Sequence, residues 1–199
     1  MLMNRLFPVH VAQFDFDEAF QTRVRTRVKR YLESARARRD IAGSPTDVVD
    51  TSYFSGRSVL ADAGLEELRD AILDAARQYL DCFGAGDMPL AIEHSWINLF
   101  RPGMQESEHA HEGSVLSCSY YVDAPVHSGD FLVPDPIGAR RIHRTFLGLS
   151  GHTSDGATGA RFVPQPGRLV MFESWIPHAV LGNKSDDTRI SIATNLKRR

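Results

Sequence analysis

In the first 90 positions, apolar residues recur at the spacing of an α-helix. Within residues 15–39 they stand three or four positions apart, at Phe16, Phe20, Val24, Val28, Tyr31 and Leu32. Within residues 62–83 the same spacing holds for Leu65, Leu68, Ile72, Ala75, Ala76, Tyr79 and Leu80. Because this period is close to the 3.6 residues of a helical turn, the pattern predicts two amphipathic helices. Residues 43–58, which lie between them and are rich in turn formers, predict a loop with at most a short strand.

From about residue 91 onward the pattern changes to that of short strands. β-forming residues with partial alternation occupy 91–101, 115–122, 168–173 and 188–195, separated by turn formers. Residues 134–167, rich in Gly, Pro, Ser and His, predict one or two short strands and a long loop at 148–160 that could form a lid. Short strands joined by turns favour an antiparallel sandwich or barrel. We therefore predict a mostly β protein with N-terminal helices.

Composition and charge exclude several classes of protein. The 199 residues are 42% hydrophobic and 24% charged, as in an ordinary globular domain. A net charge of −2 provides no global positive field for nucleic acid, and no apolar run reaches the 18 residues of a membrane span. The two cysteines, Cys82 and Cys118, predict no disulfide framework. We expect a cytoplasmic protein with no nucleic-acid or membrane partner, and a homodimer is among the open oligomeric states.

Candidate chemistry lies at three places in the strand-rich half. His109 and His111 precede a predicted strand, and in an extended chain side chains two residues apart share a face. His178 follows another predicted strand. Arg189 and Ser191 share one face of the last strand by the same alternation. Each of these features is common in proteins when it occurs alone. Their order along the chain, at strand ends of a single predicted β-barrel, is what indicates a shared site.

Three imidazoles on one side of a metal ion would leave its other coordination positions open. Non-haem iron uses such open positions to bind an oxidant and a substrate together. Arg189 could pair with the far carboxylate of a chelating dicarboxylate, and Ser191 could add a hydrogen bond. Two alternatives stay open: a cupin-type three-histidine iron dioxygenase that needs no dicarboxylate, and a non-catalytic jelly-roll binding module.

This half of the chain resembles the iron(II)/2-oxoglutarate-dependent oxygenase superfamily, and within it a family of bacterial and phage 2OG-Fe(II) oxygenases. The matching stretches are Ser95-Trp-Ile-Asn98, His109-Ala-His-Glu-Gly-Ser-Val-Leu-Ser117, Tyr120-Tyr-Val-Asp-Ala-Pro125, Pro164-Gln-Pro-Gly167, Leu169-Val-Met-Phe-Glu-Ser-Trp-Ile-Pro-His178 and Arg189-Ile-Ser-Ile-Ala-Thr-Asn195. The resemblance implies a single domain over residues 1–199, with a helical support region at 1–90 and a double-stranded β-helix, or jelly roll, at 91–199.

The resemblance also implies the cofactors and the residues that bind them. Fe(II) would be held by His109, His111 and His178, and the C5 carboxylate of 2-oxoglutarate by Arg189 and Ser191. The implied activity is that of a dioxygenase, an oxidoreductase that uses O2. It would oxidise, foremost by hydroxylation, an unactivated C–H bond of a small molecule such as an amino acid or a secondary metabolite.

His111 departs from the common pattern of the superfamily, which has Asp or Glu at this position. Either three histidines bind the metal, or two do and water completes the shell. Asp130, Glu108 and Glu112 are alternative carboxylates, although the last two fall on the face opposite the histidines in a regular strand. We favour three histidines.

Two further residues are expected at the pocket. Asn98 and one of the adjacent tyrosines, Tyr120 or Tyr121, would line it or bond to 2-oxoglutarate. Even spacing from His109 and His111 favours Tyr121.

A basic cluster lies between the two halves of the predicted metal site. Its members are Arg140, Arg141, His143, Arg144 and Arg161. At the mouth of the pocket these residues would favour an anionic substrate, whereas on a solvated loop they would have no such role.

Overall fold

Two antiparallel sheets and a layer of helices build the fold. The computed structural model describes residues 8–42, 48–148 and 158–199. In chain order, the first part contains β1 (Val11–Asp15), α1 (Glu18–Leu32), α2 (Ala35–Ala42), β2 (Asp50–Thr51), a 3₁₀ turn (Tyr53–Ser55), α3 (Val59–Asp62) and α4 (Glu66–Asp81). The second part contains β3 (Leu90–Phe100), β4 (Glu106–His109), β5 (Leu116–Asp123), β6 (Phe131–Pro134), α5 (Gly138–Phe146), β7 (Gly159–Phe162), β8 (Arg168–Glu173), β9 (His178–Val180) and β10 (Arg189–Arg198).

Both predicted helices are present; the first is divided into α1 and α2, and the second is α4, preceded by the short α3. Asp17 caps α1 by accepting a hydrogen bond from the backbone N–H of Phe20 at 2.8 Å. Ser34 starts α2 in the same way, with its hydroxyl accepting from Ala37 at 3.1 Å, so the turn between α1 and α2 interrupts the predicted 15–39 helix. In the second helical region, a left-handed residue at Gly64 separates α3 from α4. Within the described part of the chain, no helix is long and apolar enough to cross a lipid bilayer.

The larger sheet has the strand order β1-β8-β5-β10-β3-β2, and all its pairs are antiparallel. The four strands predicted from sequence are β3, β5, β8 and β10, which are its four adjacent central strands. Their hydrophobic patterns are the clearest in the sequence because apolar side chains pack on both faces of this sheet. The edge strands β1 and β2 both come from the first 90 residues, so the helical support region also contributes to the sheet. β1 was not predicted.

Apolar side chains fill two layers, one on each face of the larger sheet. The layer under the helices includes Val24, Val28, Leu68, Ile72, Leu116, Tyr120, Leu169 and Ile192. The layer between the sheets contains Tyr121, Phe131, Val133, Val170, Phe172 and Ile176. Tyr120 and Tyr121 therefore point to opposite sides, as alternation along β5 requires.

The smaller sheet, in the order β4-β9-β6-β7, consists of strands of only three or four residues. The predicted strands of the 134–167 region correspond to β7 alone, and the region also forms α5, which was not predicted. Most of the predicted lid loop, residues 149–157, lies outside the described residues.

Gly129 lies where the loop after β5 approaches the chain that leaves β9. Its φ is +91°, and a Cβ placed there would lie 2.0 Å from the backbone carbonyl oxygen of Leu181. The neighbouring peptide holds the two segments together, since the Leu181 N–H donates to the carbonyl of Asp130 at 2.9 Å. Only glycine satisfies both the backbone angle and the close approach.

We expect Gly129→Ala to lower the free energy of unfolding by about 3 kcal/mol or more, because the added methyl group meets rigid backbone. Gly103→Ala is the matched control: its φ is +85°, and among the described residues no atom beyond its two chain neighbours lies within 4 Å of the added Cβ. The control carries only the left-handed penalty of about 1–2 kcal/mol. Urea unfolding of both variants checks this, and equal losses would contradict the steric explanation.

Candidate metal centre and cosubstrate site

Three histidines converge at one end of the space between the sheets. In the β4–β9 pair His109 lies directly opposite His178, and their ring centroids are 4.3 Å apart. The ring of His111 lies 5.1 Å from that of His109 and 5.0 Å from that of His178. One potential ligand atom from each residue lies within 4.8 Å of the other two. Among the described residues, no other group of three or more His, Cys, Asp or Glu approaches in this way.

Hydrogen bonds fix the tautomers of two of these rings. His109 Nδ1 lies 2.8 Å from the carbonyl oxygen of Ser107, and His178 Nδ1 lies 3.0 Å from that of Ile176. Because a carbonyl can only accept, each Nδ1 carries the proton and each Nε2 keeps a free lone pair. This outer contact orients metal-binding histidines in proteins generally.

Burial keeps the pKa values of His178 and His111 well below neutral pH. The pKa of His178 is lowered to about 3, chiefly by burial and also by the nearby His109. Burial and His109 likewise lower the pKa of His111 to about 4. Both imidazoles are therefore neutral at pH 7, which is the form that binds a metal ion.

His111 reaches the cluster from a turn rather than from a strand. β4 ends at His109, and the backbone N–H of His111 donates to the carbonyl of Ser174 at 2.9 Å. The Ser174 hydroxyl is 2.8 Å from that of Ser117, which donates to Asn195 at 2.8 Å. The expectation that His109 and His111 lie on one face of an extended strand is wrong, because the strand ends at His109. The structure nevertheless brings the two rings together.

Arg189 and Ser191 lie in the same cavity as the histidines, which has a volume of about 280 Å³. Both side chains are about 1% exposed. A guanidinium nitrogen of Arg189 donates to the carbonyl of Gly129 at 2.8 Å, and the group lies 4.5 Å from the ring centroid of Phe100. Its Nε is buried without a hydrogen-bond partner among the described residues, and burial lowers its pKa.

Of the other residues predicted at the pocket, Asn98 lines the cavity and the two tyrosines do not. Asn98 lines the cavity, directly across the β3–β10 pair from Ser191. Tyr121 is fully buried between the sheets, with its ring 5.4 Å from the Arg189 guanidinium, but it does not line the cavity. Its hydroxyl has no hydrogen-bond partner among the described residues, and burial raises its pKa. Tyr120 packs on the helical side, near Phe16 and Phe20.

The three alternative carboxylates lie apart from the cluster. Glu108 is exposed and pairs with Arg141 at 3.1 Å, and Glu112 is exposed as well. Asp130 is not a member of the metal-ligating group.

Sequence reasoning missed Glu106, the one acidic residue among the described residues that line the cavity. Glu106 and His109 are an odd number of positions apart, which in a regular strand puts them on opposite faces. The register of the β4–β9 pair shifts between them, and both side chains line the cavity. Burial raises the pKa of Glu106, while His109 and Arg189 act to lower it. No periodicity in the sequence signals this irregularity.

The aromatic residues of the cavity were not assigned to it from sequence either. Tyr53 and Phe54, from the segment predicted as a loop, are 42% and 54% exposed and form its outer wall. The ring of Trp96 joins Tyr53 to His111, at centroid distances of 5.0 and 5.6 Å.

The predicted basic cluster does not line the cavity in the described part of the chain. Arg140 forms a bidentate pair with Asp135 at 2.6 and 2.8 Å, and Arg141 pairs with Glu108. His143 and Arg161 are exposed. The side chain of Arg144 lies outside what the structure describes.

The site fits the two groups that the resemblance implies. Three converging imidazoles, two of them with their tautomers fixed by backbone carbonyls, suit iron(II), which accepts nitrogen ligands readily. The buried guanidinium of Arg189, whose Nε has no partner within residues 8–42, 48–148 and 158–199, suits a carboxylate, which can accept two parallel hydrogen bonds from such a group. His109, His111 and His178 would hold the metal, and Arg189 with Ser191 would hold the far carboxylate.

The metal-free protein should lose stability as the pH falls from about 6.5 towards 4. Unfolded histidines take up protons near their ordinary pKa of 6.5, whereas native His111 and His178 stay neutral down to about 4 and 3. The unfolded state then binds more protons, and each histidine steepens the loss by up to about 1.4 kcal/mol per pH unit. Urea unfolding across this range should show a shallower slope for His111→Gln, and an unchanged slope would refute the assignment.

Comparison with known proteins places this geometry in a family. The sequence profile of a 2OG-Fe(II) oxygenase family matches residues 94–195, about half of the chain. No curated protein sequence matches it significantly.

Solved structures show the same fold. The chain is similar to the alpha-ketoglutarate-dependent carbocyclase SnoK from nogalamycin biosynthesis, at 17% identity and a TM-score of 0.64, over 94% of this chain and 79% of that one. It is also similar to a 2OG-Fe(II) oxygenase family oxidoreductase from Burkholderia pseudomallei, at 15% identity and 0.62, over 95% and 84%. HygX from Streptomyces hygroscopicus, solved with nickel and 2-oxoglutarate bound, matches at 11% identity and 0.63, over 96% and 83%.

These likenesses confirm the predicted jelly roll with N-terminal helices. The matched stretch contains His109, His111, His178, Arg189 and Ser191. The chain belongs to the 2OG-Fe(II) oxygenase family, whose members are enzymes that use iron(II) and 2-oxoglutarate.

Proposed function

We propose that this oxygenase hydroxylates an unactivated C–H bond of a small molecule, such as an amino acid or a secondary metabolite. The observation that carries the proposal is the enclosure of three imidazoles and one guanidinium in a single cavity of about 280 Å³. A space of this size suits a compact ligand rather than a folded partner. When bound, iron(II) and 2-oxoglutarate supply the oxidising chemistry, in which the cosubstrate is decarboxylated to succinate by O2 and the C–H bond is oxidised.

The protein's own residues position and shield the reactants. The backbone carbonyls of Ser107 and Ile176 hold two imidazoles in the metal-binding tautomer. Arg189 is fixed by Gly129 and Phe100 before any ligand arrives, so little conformational freedom is lost when a carboxylate binds. Phe131, Phe172 and Val180 line the inner wall and keep water from the reacting atoms.

Family membership favours this function over the two alternatives from sequence. A three-histidine dioxygenase without 2-oxoglutarate gives Arg189 no role, and burying an unused guanidinium would be costly. A non-catalytic binding module gives no reason for the oriented imidazoles.

Other finer features stay predictions. The type of oxidation stays a prediction, because the similar structures include a carbocyclase as well as oxygenases of other kinds. The predicted basic cluster lends no support to an anionic substrate, because Arg140 and Arg141 already pair with carboxylates. A cytoplasmic location, a homodimer and a single domain over residues 1–199 are likewise unchanged as predictions.

Anaerobic titration with iron(II) and 2-oxoglutarate tests the proposal directly. The wild type should develop the weak visible charge-transfer band of the chelate and should form succinate in air. Arg189→Gln should lose the band and lower succinate formation at least about a hundredfold, because a buried charge-assisted pair is removed. Arg198→Gln, at the exposed end of the same strand, is the control and should behave as the wild type. Wild-type protein without a band would overturn the proposed function.

Tyr121 offers a separate test of the cosubstrate site. Tyr121→Phe should raise the KM for 2-oxoglutarate severalfold if the orphaned hydroxyl serves the bound carboxylate. Stability should stay the same or rise, because a buried hydroxyl without a partner stabilises nothing. Steady-state kinetics and thermal unfolding measure the two effects, and an unchanged KM would remove Tyr121 from the site.

A further inference from the structure

A metal site of three histidines lacks a charge that the commoner ligand set contains. An imidazole that binds a metal ion through a ring-nitrogen lone pair is in its neutral form. A divalent ion here would therefore meet no negative ligand from the protein. The cavity already holds the positive guanidinium of Arg189, which is about 1% exposed. Uncompensated charge in such a space is costly.

Glu106 is the group that can offset this charge. It is the one acidic residue lining the cavity among the described residues, and it lies on β4 with His109. The register shift between these two residues lets both side chains face the same space. Glu106 makes no side-chain hydrogen bond or ion pair with another described residue, in contrast to Glu108, which is committed to Arg141.

With Glu106 ionised, the charges of the metal, the cosubstrate and the cavity-lining residues sum to zero. The metal contributes +2, 2-oxoglutarate −2, Arg189 +1 and the three imidazoles zero, which leaves +1. One ionised carboxylate brings the sum to zero. The commoner ligand set reaches the same sum with its ligating carboxylate. A bound cation also favours the ionised form of a nearby acid.

We infer that Glu106 is a positioning residue that supplies, from outside the metal's ligand set, the negative charge that His111 cannot provide. This inference rests on the proposed function, since it needs a metal at the three histidines. Glu106 stabilises the bound divalent ion electrostatically. It also faces the incoming dianion and weakens the binding of 2-oxoglutarate. Glu106 therefore raises the affinity for the metal ion and lowers the affinity for 2-oxoglutarate.

Calorimetric titration tests both effects on the full chain. Nickel(II) serves as an oxygen-stable probe of the metal site, and 2-oxoglutarate is titrated into the nickel-loaded protein. Glu106→Gln should weaken nickel binding about tenfold to a hundredfold, as for other outer-shell partners of a metal. The same variant should bind 2-oxoglutarate more tightly than the wild type. Glu108→Gln, two residues away and exposed, is the control and should change neither affinity.

A second variant separates charge from packing. His111→Asp restores a carboxylate at the ligand position, so the double variant Glu106→Gln/His111→Asp should regain nickel affinity relative to Glu106→Gln alone. Unchanged nickel affinity in Glu106→Gln, or weakening of both ligands together, would overturn the inference while leaving the proposed function intact. A wild type that binds no nickel would instead overturn the proposed function.

Discussion

The antiparallel pairing of β4 with β9 is the constraint on which the site depends. These strands are only four and three residues long, yet their register sets His109 directly against His178. So short a pair has little stability of its own. It is held by its place in the smaller sheet and by Phe131 and Phe172, whose rings lie 5.3 and 4.7 Å from that of His178. The larger sheet provides the rigid surface on which this geometry rests.

A second constraint is the burial of Arg189. A guanidinium that is about 1% exposed must find acceptors or be destabilising, and here it has one carbonyl and two aromatic faces. Its Nε finds no hydrogen-bond partner in the part of the chain that the structure describes. The fold therefore carries an unsatisfied donor at the place where a carboxylate is expected, and ligand binding would relieve that cost. Gly129 connects this site to the backbone packing of Leu181, because its carbonyl holds the guanidinium and its missing side chain allows the close approach.

The electrostatics of the cavity follow from its ligand set. Replacing a carboxylate ligand by His111 leaves the metal site without a negative charge of its own. In a solvated site, water would screen the positive charge that the missing carboxylate leaves without a counter-charge. Between two sheets it has to be offset by another group in the same cavity, and Glu106 lines that cavity.

The sequence by itself determined the central architecture and the chemistry-bearing residues. Strands β3, β5, β8 and β10 were predictable because continuous burial on both faces gives a strong local signal, and the helical stripes were predictable from their period. The histidines and Arg189 were identifiable by their order and by family resemblance. The tertiary structure decided what depends on contacts between distant segments. The strand β1 forms only because β8 offers it an edge, and the minor strands are too short to carry a pattern. His111 is positioned by the carbonyl of Ser174, 63 residues further along the chain. Glu106 enters the cavity through a register shift that reverses the expected face, and no local alternation can encode such a shift.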